Sequence, residues 1–135
     1  MASIYRTFVV NAAPEFVWNA LRDVGAVHTR LAREFVSATR LEGTVRTVTF
    51  ANGFVAREQI VTVDAENRRI VYGLVGGSAT HHNAFFQVFP APGGNTNLLW
   101  VTDLLPDDVR EPIEQMVDAG IKAIQQTLQS TFAAR

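Results

Sequence analysis

The rhythm of apolar and polar positions changes twice along this chain. Ile4 to Val10 is β-prone and stops at Asn11, which predicts a first strand. Ala12-Ala13-Pro14-Glu15 then opens a helix, because proline fits the first helical turn and Glu15 suits the positive end of the helix dipole. Phe16, Val17, Ala20 and Leu21 give that helix an apolar face, Gly25 ends it, and a short second helix follows through Val27, Leu31 and Ala32. From Phe35 onward apolar residues alternate, which predicts strands over Phe35–Leu41, Val45–Phe50, Phe54–Val63, Arg69–Val75, His81–Phe89 and Thr96–Asp103. Glu42-Gly43, Asn52-Gly53, Asp64 to Asn67, Gly76-Gly77-Ser78 and Pro90 to Asn95 supply turn chemistry between them. Connections this short favour antiparallel neighbours, since parallel crossovers need a dozen or more residues.

At Pro106 the rhythm becomes helical again. Val109, Ile113, Met116, Val117, Gly120, Ile121, Ile124 and Leu128 fall on one face, so a single amphipathic helix is expected from Pro106 to Phe132. At about 1.5 Å per residue it runs roughly 35–40 Å, longer than capping a sheet end requires. A helix of that length laid across a curved antiparallel sheet leaves room for a hollow. The element order is β-αα-β6-α, an α+β plan. No repeat, linker or low-complexity segment interrupts it, so residues 1–135 read as one domain.

Composition narrows the choice of partner. Apolar residues make up 47% and charged residues 19%, a globular balance. The net charge is −1 and the longest basic cluster is Arg68-Arg69, which argues against nucleic acid, because phosphate binding needs a concentrated positive face. The chain has no cysteine, so disulfides and thiolate chemistry are excluded, and a reducing cytosol suits it. Met1 to Arg6 lack the apolar core of a signal peptide, and no apolar run approaches the ~20 residues that span a membrane. A cytoplasmic protein without membrane insertion is expected.

Motifs for demanding chemistry are missing. His28, His81 and His82 are the only histidines, and the adjacent pair points to opposite faces of a strand, which cannot make one tetrahedral metal site. No Gly-x-Ser-x-Gly elbow, P-loop or dinucleotide glycine fingerprint occurs. Neither a metal nor a cofactor is expected. Asp107, Asp108, Glu111 and Glu114 open the last helix and read as solvated, dipole-compensating carboxylates.

Several stretches together form a recognisable series. They are Ala13-Pro14-Glu15-Phe16-Val17-Trp18 after the first strand, Arg57-Glu58-Gln59-Ile60 running into Val63 to Arg69, Gly76-Gly77 followed by His82-Asn83, Leu99-Trp100-Val101, and the terminal helix. On these the chain resembles the START / birch-pollen-allergen superfamily (SRPBCC), in its polyketide cyclase/dehydrase-like branch, over nearly its whole length. The resemblance implies the helix-grip fold, a seven-stranded curved antiparallel sheet wrapped around a long C-terminal helix with an internal cavity. It also implies a lipid, hormone, polyketide or aromatic metabolite in that cavity. Only some members of the superfamily are enzymes, and fold alone does not choose between them. The iron–sulfur motif of its oxygenase branch needs cysteines, which this chain lacks.

Strand alternation then nominates the side chains that meet a ligand. Phe54, Ala56, Glu58 and Ile60 share one face, which the resemblance makes the inward one. In related plant hormone receptors the matching glutamate faces the pocket. Burying the Glu58 carboxylate is costly without a partner, so it is either a site residue or a group held by Arg46 or water near the rim. Tyr72, inward with Ile70 and Leu74, either reads the polar end of a ligand or is a hydrogen-bonded core tyrosine. His82, inward with Ala84, Phe86 and Val88, is either a general acid/base partner of Glu58 or a solvated rim histidine. Trp100, inward with Leu98 and Thr102, either stacks on a planar ligand or fills the core. Met116 adapts to a variable pocket. Gly120, at a helix-propensity cost of about 1 kcal/mol relative to alanine, allows close approach of the sheet or of a ligand.

The candidate ligand wall is thus Phe54, Glu58, Tyr72, His82, Phe86, Trp100, Met116 and Gly120, with Glu58 and His82 as candidate catalytic residues. Loops Ala51-Asn52-Gly53 and Gly76 to Thr80 are placed to gate it, although the long gate sequence of the hormone receptors is absent. On the opposite face Val55, Phe85, Phe89, Leu99 and Val101 are expected to form an apolar patch, a feature of partner surfaces that leaves room for a homodimer. Three functions follow: a binder of a hydrophobic or aromatic small molecule, a cofactor-independent polyketide cyclase/dehydratase using Glu58 and His82, and a stress-associated interaction module.

Overall fold

The computed structural model describes residues 2–135. Its sheet is built from β1 (Ala2–Val10), β2 (Val36–Glu42), β3 (Val45–Phe50), β4 (Val55–Asp64), β5 (Arg69–Leu74), β6 (His81–Ala91) and β7 (Asn95–Leu105). All pairings are antiparallel, in the order β1-β7-β6-β5-β4-β3-β2. Six strands therefore form a simple meander, and only β1 pairs with a strand distant in sequence. Between β1 and β2 the chain makes α1 (Pro14–Arg22) and a five-residue π-helical turn, Val27–Leu31. It closes with α2 (Arg110–Ala133). This is the α+β helix-grip architecture.

Alternation decides which side chains enter the core. Ile4 and Val10 on β1, Ile70 and Tyr72 on β5, Ala84, Phe86 and Val88 on β6, and Leu98 on β7 are buried on the concave face. Trp18 and Leu21 of α1, Leu31 of the π-helical turn, and Ile124 and Leu128 of α2 close over them. The buried stripe of α2 is Val117, Gly120, Ile124, Thr127 and Leu128, with Val109, Ile113, Met116 and Ile121 half-buried beside it. Thr127 belongs inside because its hydroxyl accepts the Arg33 amide hydrogen bond at 2.9 Å. The other flank of α2 is tied to β1: Gln129 accepts the Asn11 amide at 3.0 Å, and Gln125 donates to the Val9 carbonyl at 2.9 Å.

The structure differs from the sequence expectation at several ends. Helix α1 stops at Arg22, before Gly25, because Asp23 already leaves the helical region (φ −81°, ψ 74°). The last helix is not continuous from Pro106: Asp107–Val109 form a 3-10 turn, and the α-helix starts at Arg110. Glu114 is not merely solvated, since it pairs with Arg6 of β1 at 2.9 Å. A bulge between Ile60 and Thr62 leaves Val61 without a partner on β5, while Val61 stays exposed in the outward phase that it shares with Val55, Arg57 and Val63.

The convex patch is also smaller than expected. Phe85 and Val101 are direct partners, but Val55 pairs with Thr49 at the far end of β4 and lies apart from them. Phe85 is covered by the Arg69 guanidinium, 4.5 Å from its ring centroid, and Val101 is buried.

Candidate functional site

A cavity of about 370 Å³ lies between the concave face of the sheet and the first half of α2. Most of its wall is apolar, including Val36, Val48, Ala56, Leu74, Ile113 and Ile124. Its mouth is made by the β3–β4 turn (Asn52, Phe54), the β5–β6 loop (Gly76 to Ala79) and Pro112 at the start of α2. The turn is tight because Gly53 takes φ 90° and the Asn52 side chain accepts the Phe54 amide at 2.9 Å. Gly76 and Gly77 both adopt positive φ, which lets the second loop reverse between β5 and β6.

The polar part of the cavity is built by register. Arg46 and Glu58 are direct cross-strand partners on the inward faces of β3 and β4. The Arg46 Nε donates to Glu58 Oε1 at 2.7 Å, and both side chains are nearly sequestered from water, at 6% and 10% exposure. Arg46 Nη1 also donates to the Val24 carbonyl at 3.3 Å, which anchors the guanidinium to the segment after α1. The same guanidinium lies 5.0 Å from the centroid of the Tyr72 ring. Tyr72 accepts a hydrogen bond from the Trp100 indole N–H at 3.2 Å. Burial, followed by the nearby negative charge of Glu58, pushes the Tyr72 hydroxyl well above the ordinary phenol range; Arg46 and the Trp100 bond oppose this only in part. Tyr72 is therefore a neutral phenol with its proton in place.

Aromatic rings give the wall its shape. Phe86 and Trp100 stack at 4.5 Å between centroids with 24° between planes, and Tyr72 continues the row at 6.4 Å from Phe86. Opposite them, Phe54, Phe50 and Phe35 make a second series, with centroids 5.9 and 5.3 Å apart. Gly120 sits where the helix meets both series. A Cβ there would lie 3.2 Å from the Trp100 ring and 3.4 Å from Phe35. The glycine thus admits the sheet and the β2 entry, bringing α2 down onto the aromatic floor.

All eight residues nominated from the sequence line this cavity. Their roles within it differ. Phe54 is 49% exposed at the mouth, and Met116 is half-buried on the helix side. Glu58, Tyr72, Phe86 and Trp100 are grouped deep in the wall. His82 is half-buried, and burial, with a smaller contribution from His81, pushes its imidazole below the ordinary value of 6.5. Glu58 faces Leu74 across β4–β5, and Gly73 faces Asn83 across β5–β6, so β5 runs between Glu58 and His82. Two strand spacings are about 9–10 Å. A direct proton transfer needs about 2.6–3.2 Å between heavy atoms. The group bonded to Glu58 is Arg46, and no hydrogen bond joins Glu58 to His82 among the described residues.

Phe35 and Phe50 escaped the sequence reading, and Arg46 entered it only as a means of holding Glu58. The signal for Arg46 and Phe50 was present, since Arg46, Val48 and Phe50 alternate onto one face of β3. Phe35 opens an alternating stretch but lies just before β2, so strand alternation does not fix the face it joins. Among the described residues no group of three His, Cys, Asp or Glu side chains could hold a metal ion, and no helix is long and apolar enough to cross a membrane.

The chain belongs to the family described as polyketide cyclase / dehydrase and lipid transport, whose model matches residues 1–135. Among solved structures it resembles XoxI from Bacillus cereus, with a TM-score of 0.81 and 19% identity over 98% of this chain and 96% of that one. A protein from Thermobifida fusca gives a TM-score of 0.80 with 23% identity, covering 99% of this chain and 95% of that one. A point mutant of norcoclaurine synthase from Thalictrum flavum, solved with a transition-state analogue, gives 0.72 with 20% identity, covering 96% and 95%. At these identities the likeness is one of fold. No curated protein matches the sequence.

Proposed function

We propose that this protein binds a hydrophobic or aromatic small molecule in the cavity between the sheet and α2. The observation that carries the reading is an apolar hollow of about 370 Å³ whose formally charged lining groups among the described residues, Arg46 and Glu58, sit together at its inner wall. A cavity of this size falls at the lower end of small-molecule sites, which are mostly apolar with a few polar groups that orient the ligand. Phe86 and Trp100 supply aromatic contact, Met116 adapts to shape, and Phe54 covers the entrance. In this reading the protein is a single cytoplasmic domain that needs no metal, cofactor or nucleic-acid partner.

A second reading, a cyclase or dehydratase acting without a cofactor, is favoured by one observation: a carboxylate and a protonated phenol, Glu58 and Tyr72, are buried on the same wall. Glu58 would then act beside Tyr72 rather than with His82, because β5 separates the original pair.

The test is native mass spectrometry of the purified protein, followed by denaturing extraction. The reading expects a carried-over apolar or aromatic compound in stoichiometric amount, displaced when Phe86→Ala shortens the wall. A protein that stays empty, and remains empty after incubation with a panel of aromatic compounds, would sink it.

A further inference from the structure

The polar groups of the cavity specify more than a greasy ligand. We infer that the cavity selects an uncharged, flat molecule whose single hydroxyl docks between Tyr72 and Glu58. The inference rests on the binding function proposed above and deepens it. Three observations carry it.

The first is charge. Among the described residues Arg46 and Glu58 are the only formally charged groups lining the cavity, and they neutralise one another at 2.7 Å. A carboxylate head placed here would have to face Glu58, and an ammonium head would face Arg46. Either would bring a third charge beside a pair that is nearly sequestered from water, without a counter-charge of its own. An uncharged head avoids that cost.

The second is hydrogen-bond inventory. The Tyr72 oxygen is taken by the Trp100 N–H, and its own proton has no acceptor among the described residues. Arg46 engages only one oxygen of Glu58, Oε1. Between Tyr72 and Glu58 the wall therefore offers a donor, the Tyr72 O–H, beside an acceptor, the second Glu58 oxygen. A hydroxyl is the smallest group that satisfies both, accepting from the phenol and donating to the carboxylate. An ether or ketone would meet only the donor.

The third is shape. Phe86 and Trp100 stack face to face at 4.5 Å and Tyr72 continues the row, so the row meets a ligand with ring edges, against which the face of a planar ring system packs edge-to-face.

The experiment measures binding of naphthol, naphthalene and naphthoate by equilibrium dialysis near neutral pH, in the parent and in Tyr72→Phe. Naphthol should bind about tenfold to a hundredfold more tightly than naphthalene, the size of two hydrogen bonds, and naphthoate should be the weakest. Tyr72→Phe should remove most of naphthol's advantage while naphthalene affinity stays within about twofold, which also reports that the variant cavity is intact. Naphthoate binding tightest, or a naphthol advantage unchanged by Tyr72→Phe, would overturn the inference. Naphthalene binding with no advantage for naphthol would overturn it while leaving the binding function standing. Failure of all three compounds to bind would remove both.

Discussion

Two arginines make the same bond in very different surroundings. Arg6 on β1 reaches across to α2, donating to Glu114 and Asp118 at 2.9 Å each. Arg46 on β3 donates to Glu58 at 2.7 Å. The Arg6 side chain is 31% exposed and Asp118 is 53% exposed, whereas Arg46 and Glu58 are 6% and 10% exposed. The Arg6 guanidinium is pushed above its ordinary range, chiefly by its hydrogen bonds to Asp118 and Glu114. Water can replace any partner that Arg6 loses. Inside the cavity wall, a lost partner leaves a charge with nothing to solvate it.

The difference decides how much each pair can add to folding stability. An exposed cluster that joins the edge strand to the long helix is a modest clasp, screened by salt. A buried pair is weak evidence for stability, because desolvation consumes most of its attraction. Packed apolar residues would serve the core as well. The buried pair also lines the apolar hollow under α2 and lies beside Tyr72. Its use is therefore sought in what the hollow holds.

The largest expected effect comes from halving the buried pair. Glu58→Ala should cost about 3–5 kcal/mol of folding stability in urea denaturation, because Arg46 is left charged and buried. Equal stability of variant and parent would mean that water already reaches the pair. The smallest effect should come from Arg6→Ala, about 0.2–1 kcal/mol for each exposed pair lost, shrinking further at high salt. A loss from Arg6→Ala as large as that from Glu58→Ala, and insensitive to salt, would erase the distinction between the two sites.

Most of the architecture was legible because it follows from periodicity. The strands alternate cleanly, and glycine, asparagine and proline mark each reversal, so element order and sheet type emerge with ends displaced by only a few residues. The misreadings have physical causes. Nothing local marks the bulge at Val61, which comes from pairing with β5. The 3-10 turn at Asp107–Val109 has a composition as suitable for a helix start as for a turn. For the site, alternation placed Glu58, Tyr72, His82, Phe86 and Trp100 on the inward face but carried no distance across the sheet. Glu58 and His82 share a face yet stand on strands separated by β5. Arg46 gained its place through the β3–β4 register, a tertiary property. Gly120 suggested close approach, and its neighbours, Trp100 and Phe35, come from distant parts of the chain.

The proposed binding function requires that Arg46 and Glu58 serve the ligand rather than the fold. The most direct test replaces both at once, Arg46→Met with Glu58→Leu, and compares urea stability and the naphthol-to-naphthalene affinity ratio with those of the parent. The account predicts a protein at least as stable as the parent, since no charge is left unpaired, whose preference for naphthol has fallen by severalfold because the carboxylate acceptor is gone. A double variant destabilised as far as Glu58→Ala, with its preference for naphthol intact, would contradict the account.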